Sequence, residues 1–368
     1  MSTVTTASEN PTSPAANASE RSLDARLRDA IPEHCHTRSD RIAAWYVGRT
    51  VVCYVLVMVA LALSHALWLI VLLWAAAAAC VSGMFVLAHD AAHQALFRSP
   101  TANSIAARLL MLPELHVFSG WVMGHNRLHH RHTARRNVDF VWHPVTPVEY
   151  QRMPRLARAR HRIEWSVFGS GLYYAREIWW NHMIRQTPPV KQAQQVRHDR
   201  RLVLMTAIVA ASGAAIFGAL TTGSALHALL TPVKLFVVPW IVFNVLIGWA
   251  VYVHHIGPTI PWRDGQPTSS TLDSTTILRA PWPLDVVWFN IFLHVAHHLD
   301  PRLPCYRLRD ATAALLAAHP ELVVEQRMRF RDYWTATRTC KVYDFERGKW
   351  LRYRDLRGLS SGGITPRG

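Results

Sequence analysis

The feature that most limits what this chain can become is a set of four apolar blocks, each long enough to cross a bilayer as a helix. From Ala43 to Ala88 the residues are nearly all apolar, broken only around Ser64-His65, so two spans at 43–64 and 66–88 are expected to form a hairpin. A second pair, 202–222 and 233–253, is joined by the short stretch Gly223 to Pro232, which carries no Lys or Arg. Lys and Arg instead flank the other ends of the blocks. The positive-inside rule therefore places both hairpin tips outward and the basic segments in the cytoplasm. Trp45 and Tyr46, at the start of the first span, sit where an interfacial aromatic belt is expected.

Composition supports this reading and excludes others. Half of the 368 residues are apolar, yet the formal charge is +16, which implies apolar blocks alternating with basic ones. The arginines follow the spans and no zinc-finger, RNA-recognition or basic-zipper pattern accompanies them, so nucleic acid is not the expected partner. Five cysteines, Cys35, Cys53, Cys80, Cys305 and Cys340, have no paired spacing and give no disulfide scaffold.

Outside the spans, residues 1–38 are rich in Ser, Thr, Ala, Asn and Pro and read as a disordered tail, with His34-Cys35-His36 solvated in it. They hold no signal-peptide core. Residues 39–340 read as one membrane unit and 341–368 as a cytoplasmic C-terminal tail. Residues 101–123 are moderately apolar and expected to lie along the membrane surface. The arginine-rich stretch 127–201, with Trp165, Tyr173, Tyr174, Trp179 and Trp180, reads as amphipathic interfacial helices.

The chemistry lies in the histidines, 21 in all. His89 and His93 follow the second span. His125, His129 and His130 stand in Gly124-His125-Asn126-Arg127-Leu128-His129-His130-Arg131-His132; on an α-helix His125 and His129 share a face, with His130 beside them. His254 and His255 end the fourth span, and His294, His297 and His298 follow shortly after. All four groups fall on one predicted side of the membrane and can surround a single site. Counting one histidine from the fourth span gives about nine imidazoles, more than one tetrahedral zinc ion can use. Carboxylates are few in the clusters, unlike the Glu-rich soluble di-iron bundles. The pattern points to a histidine-rich dinuclear iron centre. His65, His116, His143, His161, His182, His198, His227 and His319 stand alone and are expected to be interfacial or hydrogen-bonded histidines.

Three histidine boxes are therefore present, HDAAH, HNRLHH and HVAHH, and in this the sequence resembles the integral-membrane fatty acid desaturases. VYVHHIGPTIPW and HVAHHLDPRLPCYRL also resemble the corresponding regions of acyl-lipid desaturases of the omega-6 (Δ12) type. The resemblance covers most of residues 45–310 and implies an all-α multi-pass fold of about four spans in two hairpins, with a cytoplasmic helical cap carrying a di-iron site. It implies iron ligation by His89, His93, His125, His129, His130, His255, His294, His297 and His298. Asp90, Asn126, His132, His254 and Asp300 are candidates for supporting that shell. The implied reaction is O2-dependent desaturation of an acyl chain carried on a membrane lipid or thioester. The chain has no CxxC, flavin or nucleotide fingerprint, so electrons must come from a separate donor; the family uses ferredoxin or cytochrome b5. No HPGG-type motif marks a fused cytochrome b5 domain. The third box begins with His294 rather than Gln, which argues against the front-end subclass. Rival readings are a hydroxylase, ketolase or acetylenase on the same boxes, and a zinc metallopeptidase reading HDAAH as HExxH. The last would have Asp90 in place of the general-base glutamate and would leave the other clusters idle.

Overall fold

The computed structural model describes residues 22–265 and 270–357. In chain order its α-helices are α1 (Leu23–Asp29), α2 (Asp40–Leu63), α3 (Leu67–Ala92), α4 (Pro100–Leu110), α5 (Phe118–Trp121), α6 (Pro147–Arg152), α7 (Arg155–Glu164) and α8 (Ser170–Tyr173). They continue with α9 (Val190–Thr222), α10 (Ala225–His255), α11 (Trp282–Trp288), α12 (His294–Leu299), α13 (Leu308–Ala318) and α14 (Phe330–Thr339). Two minimal sheets complete the fold. Strand β1 (Ile277–Arg279) runs parallel to β2 (Glu325–Arg327), and β3 (Val342–Asp344) pairs antiparallel with β4 (Lys349–Leu351).

Helices α2, α3, α9 and α10 are long and apolar enough to cross a membrane. They form the two expected hairpins, with the helical ends extending past the apolar blocks. The most apolar windows of α2 and α9 are only 11% and 17% buried, against 44% and 39% for α3 and α10. The outer pair therefore offers its sides to lipid, while α3 packs on both α2 and α10. That places the last turns of α3 and α10, where two of the histidine groups lie, side by side at one end of the bundle.

Local chemistry sets the ends. Ser39 caps α2 by accepting from the Ile42 N–H. Gly223, at φ 67°, ends α9 in the left-handed conformation that glycine adopts without a Cβ penalty. The connection after it is helical from Ala225, not an open loop. Pro232 lies inside that helix, and the five residues after it, Val233–Val237, form a π-helical turn that accommodates the missing N–H. From there Lys234 donates through Nζ to the carbonyls of Ala62 and Ser64, satisfying the end of α2 and tying the two hairpin tips together.

Two expectations need correction. Residues 22–38, placed in the loose tail, are folded: Leu27, Ile31 and Cys35 are buried in the main core. Asp24 accepts from Ser270 and Thr271, and Arg28 Nε donates to the Leu299 carbonyl at 2.6 Å. Three apolar side chains and two ion-bearing ones are enough to dock the segment, too few to register in its composition. Residues 1–21 lie outside the described residues. Likewise 341–357 is no tail. Its β3–β4 hairpin buries Val342 and Leu351 against Tyr150 of α6.

The crossing of α8 over α10 depends on absent side chains. A Cβ on Gly171 would stand 2.8 Å from the Val245 backbone nitrogen, and one on Gly248 would collide with the Ser170 carbonyl. Small residues at such a crossing let backbones touch. Gly248→Leu is expected to cost about 1–3 kcal/mol through overpacking. It should lower the thermal midpoint in detergent; an unchanged midpoint would show that the crossing has slack.

Candidate metal centre

Each box reaches the site by a different local geometry. The first box is the regular last turn of α3. His89 and His93 are one turn apart and their rings lie 4.8 Å from each other. The second begins in α5, which runs without a break into a π-helix, Val122–His129. The His130 N–H donates to the His125 carbonyl at 3.1 Å, five residues back. This wide turn changes the expected pairing, because it brings His130 edge-on to His125, with ring centroids 4.7 Å apart, and sends His129 to another group. The third box is α12, a single turn that projects His294 and His298 to one side and His297 to the other. Phe289 (φ 51°) and Asn290 (φ 62°) turn the chain into it through two consecutive left-handed residues.

The result is three groups, the last two joined through His255 into one assembly. His89, His93, His125, His130 and His297 form one group in which every potential ligand nitrogen lies within 4.8 Å of the others. His129, His255 and His298 form a second, and His254, His255 and His294 a third that shares His255 with it. Box 2 and box 3 each contribute to both assemblies. The nitrogens point at one another: His89 and His125 Nε2 are 2.9 Å apart, His125 and His130 3.0 Å, His130 and His297 3.2 Å, and His129 and His255 3.2 Å.

Do these residues fit metal? A metal–nitrogen bond of about 2.1 Å puts ligand nitrogens at right angles about 3.0 Å apart, which matches these separations. Neutral imidazole has one N–H and one acceptor, so a converging set cannot satisfy itself by hydrogen bonds alone. Nε2 of His93, His254 and His298 is buried with no hydrogen-bond partner among the described residues. The site fits metal. The remaining ring nitrogens of the second assembly are held from behind. His129 Nδ1 lies 3.0 Å from Asp139 Oδ1, His255 Nδ1 donates to the Ser274 carbonyl at 3.1 Å, and His294 Nδ1 to the Ile291 carbonyl at 3.2 Å. Such bonds fix the tautomer that leaves Nε2 free for a metal.

Burial, and then the neighbouring imidazoles, hold His93, His125, His130, His294, His297 and His298 well below the ordinary value of 6.5. They are neutral near pH 7, as ligands must be.

The supporting residues proposed from sequence separate. Asp90 accepts the Cys305 N–H at 2.5 Å and lies 3.5 Å from His89 Nδ1. Asn126 donates to the Ala92 carbonyl at 2.9 Å, tying box 2 to the end of α3. His254 stacks on His294 with ring centroids 3.8 Å apart, so it belongs to the site more closely than its place in the sequence suggested. Asp300 does not face a box imidazole; it holds Arg302 at 2.9 Å and lies 3.6 Å from His36. His132 belongs to none of the three groups. Sequence reasoning missed Asp139, which is buried and also accepts from the Ala134 and Val141 N–H groups. A signal was present, since Asp139 is the lone acid between Arg127 and Val148. Among the solitary histidines, His116 pairs with the Tyr174 hydroxyl at 2.9 Å and His161 with that of Tyr353 at 2.7 Å, as expected.

Beside the imidazoles lies a narrow apolar cavity of about 40 Å³, walled by Phe85, Trp121, Phe140, Tyr174, Ile247 and Trp288. His89, His125, His129, His255 and His294 line it as well. A narrow apolar space beside a metal-capable histidine cluster, at one end of four membrane-length helices, defines a class: a membrane metalloenzyme acting on a long apolar substrate.

The particular family follows from comparison with known proteins. The family profile described as fatty acid desaturase matches residues 66–330. The sn-1 oleoyl-lipid 12-desaturase of a Picosynechococcus strain is 27% identical over 348 residues, covering 89% of this chain and 92% of that protein. A probable fatty acid desaturase of Sorghum bicolor is 30% identical over 301 residues, covering 78% and 74% respectively. The chloroplastic omega-6 fatty acid desaturase of Glycine max is 26% identical over 294 residues, covering 77% and 65%. The chain belongs to the fatty acid desaturase family, and it is an oxidoreductase.

Two outcomes test the site. Asp139→Ala should lower metal affinity by roughly 10–100-fold, read as metal retained after dialysis against a chelator. Retention equal to wild type would remove Asp139 from the supporting shell. Because the cluster imidazoles are depressed when folded, the unfolded chain binds more protons below about 6.5. The metal-free protein should therefore lose stability as the pH falls through that value. A thermal midpoint that stays flat across the same range would contradict it.

Proposed function

We propose that the chain is a membrane-bound, O2-dependent acyl desaturase working at a di-iron centre. One iron would be held by His89, His93, His125, His130 and His297, the other by His129, His255, His294 and His298. The observation that carries this reading is the junction of an apolar cavity with two histidine assemblies whose nitrogens are spaced as ligands. Iron suits an all-imidazole set with open positions, and zinc would leave most of the rings idle. When bound, the two irons supply oxygen activation strong enough to take hydrogen from an unactivated methylene.

The chain's own residues do the rest. The cavity walls, Phe85, Ile247 and Trp288 among them, hold a saturated segment extended against the imidazoles and exclude water from it. Two adjacent methylenes each lose one hydrogen, O2 is reduced to two waters, and the balance takes two electrons and two protons from outside. A one-electron carrier such as ferredoxin, or cytochrome b5 with its reductase, would supply them. The basic residues around the histidine end support a cytoplasmic orientation for that end, where such carriers are found. The oleoyl-lipid and omega-6 relatives favour insertion at the Δ12 position of a lipid-bound chain. The peptidase reading loses ground, since the Asp90 carboxylate is engaged with the Cys305 N–H.

Expression in a host of defined lipid composition, followed by fatty-acid analysis, should reveal new unsaturated chains. Hydroxylated or keto products would redirect the reading to another oxidation on the same scaffold. His297→Ala should abolish turnover and lower the iron content, whereas His132→Ala should leave both near wild type. Full activity without His297 would sink the ligand assignment.

A further inference from the structure

A second and larger hollow, of about 350 Å³ and partly open to the surface, lies against the histidine end of α10. One face of that helix lines it through Trp249, Tyr252, Val253 and Ile256, the i, i+3, i+4, i+7 stripe; α14 supplies Phe330 and Tyr333. At its edge stand Arg327 and Arg329, both exposed. The nearby Arg279 is paired with Glu325, and Asp332, which also lines the hollow, lies 3.9 Å from Arg331. Arg327 and Arg329 have no carboxylate partner among the described residues, so two guanidinium groups are left to face whatever occupies the hollow.

Two features say what that is. Large apolar side chains flank the same edge in the open: Trp282 is 73% exposed, Phe330 67% and Val324 64%. None belongs to a span, and such residues beside cations fit the headgroup layer of a bilayer. The hollow and the cavity beside the imidazoles lie on different faces of α10 and come close at one cluster of aromatic rings. Trp249, which lines the hollow, stands 5.8 Å from Trp288, which lines the cavity, and Phe292 packs on both at 5.6 and 5.2 Å. The three rings pack together at the seam between the two spaces; elsewhere α10 itself runs between them, with Ile247, Ala250 and Val251 on the cavity side.

We propose that this hollow is the side door through which a membrane glycerophospholipid delivers its acyl chain. Arg327 and Arg329 receive the phosphate, and Trp249, Trp288 and Phe292 form the leaf that the chain must pass. This rests on the desaturase reading above and adds to it an anionic headgroup site. The flanking apolar side chains favour a lipid already in the bilayer over a soluble thioester, although a thioester of coenzyme A carries phosphate too.

The test uses the full-length enzyme, with iron and a reducing donor, on vesicles of dioleoyl phosphatidylglycerol, on vesicles of a dioleoyl galactolipid without phosphate, and on oleoyl-CoA. The double variant Arg327→Gln/Arg329→Gln should raise KM for phosphatidylglycerol by roughly 30-fold, about the effect of two surface cations on an anionic lipid. It should leave kcat within about twofold and the galactolipid KM unchanged. Arg331→Gln, on the same segment but outside the lining, should match wild type. Phosphatidylglycerol retained by the purified proteins reads the site without turnover and should fall in the double variant. An unchanged KM with unchanged retention overturns the headgroup site, as does a KM effect seen with oleoyl-CoA alone. If neither protein makes product from any substrate, the desaturase reading fails instead, and lipid retention still decides the headgroup site.

Discussion

The structure turns on crowding imidazoles, nitrogen to nitrogen, at the end of a lipid-facing helix bundle. Such an arrangement is unfavourable by itself. Burial penalises protonation, and each nitrogen of a neutral ring is either a donor or an acceptor, so a converging set cannot be satisfied by hydrogen bonds alone. It persists because everything around it is rigid: α3 and α10 are paired along their length, and the boxes ride on their ends or on segments bolted to them. A metal ion relieves the conflict by taking the lone pairs that the rings aim at each other. The apolar spans do more than anchor the protein. They give the cluster a fixed base and a dry neighbour into which a hydrocarbon chain can be laid.

Much of this was legible in the chain. Purity and length identified the four spans, because a bilayer demands about 20 apolar residues and internally satisfied backbone. The boxes stood out because histidine at these spacings has few other uses. What could not be read was placement over long separations. Asp199, early in α9, accepts the Ser119 N–H and also pairs with Arg108 of α4, fixing the start of α5 and thus the direction of box 2. Nothing near residue 119 announces that partner. Asp139 is legible only as an oddity of charge, and Arg28 as one arginine among many.

Tail and cap were misjudged for a related reason. Low apolar content argues for disorder when a segment must build its own core. Residues 22–38 need none, since they dock on a core already made and close the carbonyl end of α12 through Arg28. The same holds for the β3–β4 hairpin, which lies against Tyr150 and Trp165. Composition measures what a segment can do alone, and both of these segments work in company.

The wide turn in box 2 carries a further consequence. His125 and His130 serve one assembly while His129, between them, serves the other, and a single hydrogen-bonded backbone ring from His130 to His125 joins all three. Neither assembly can be ordered without ordering part of the other. The two assemblies thus share one backbone turn, and an α-helical register at that turn would displace members of both at once.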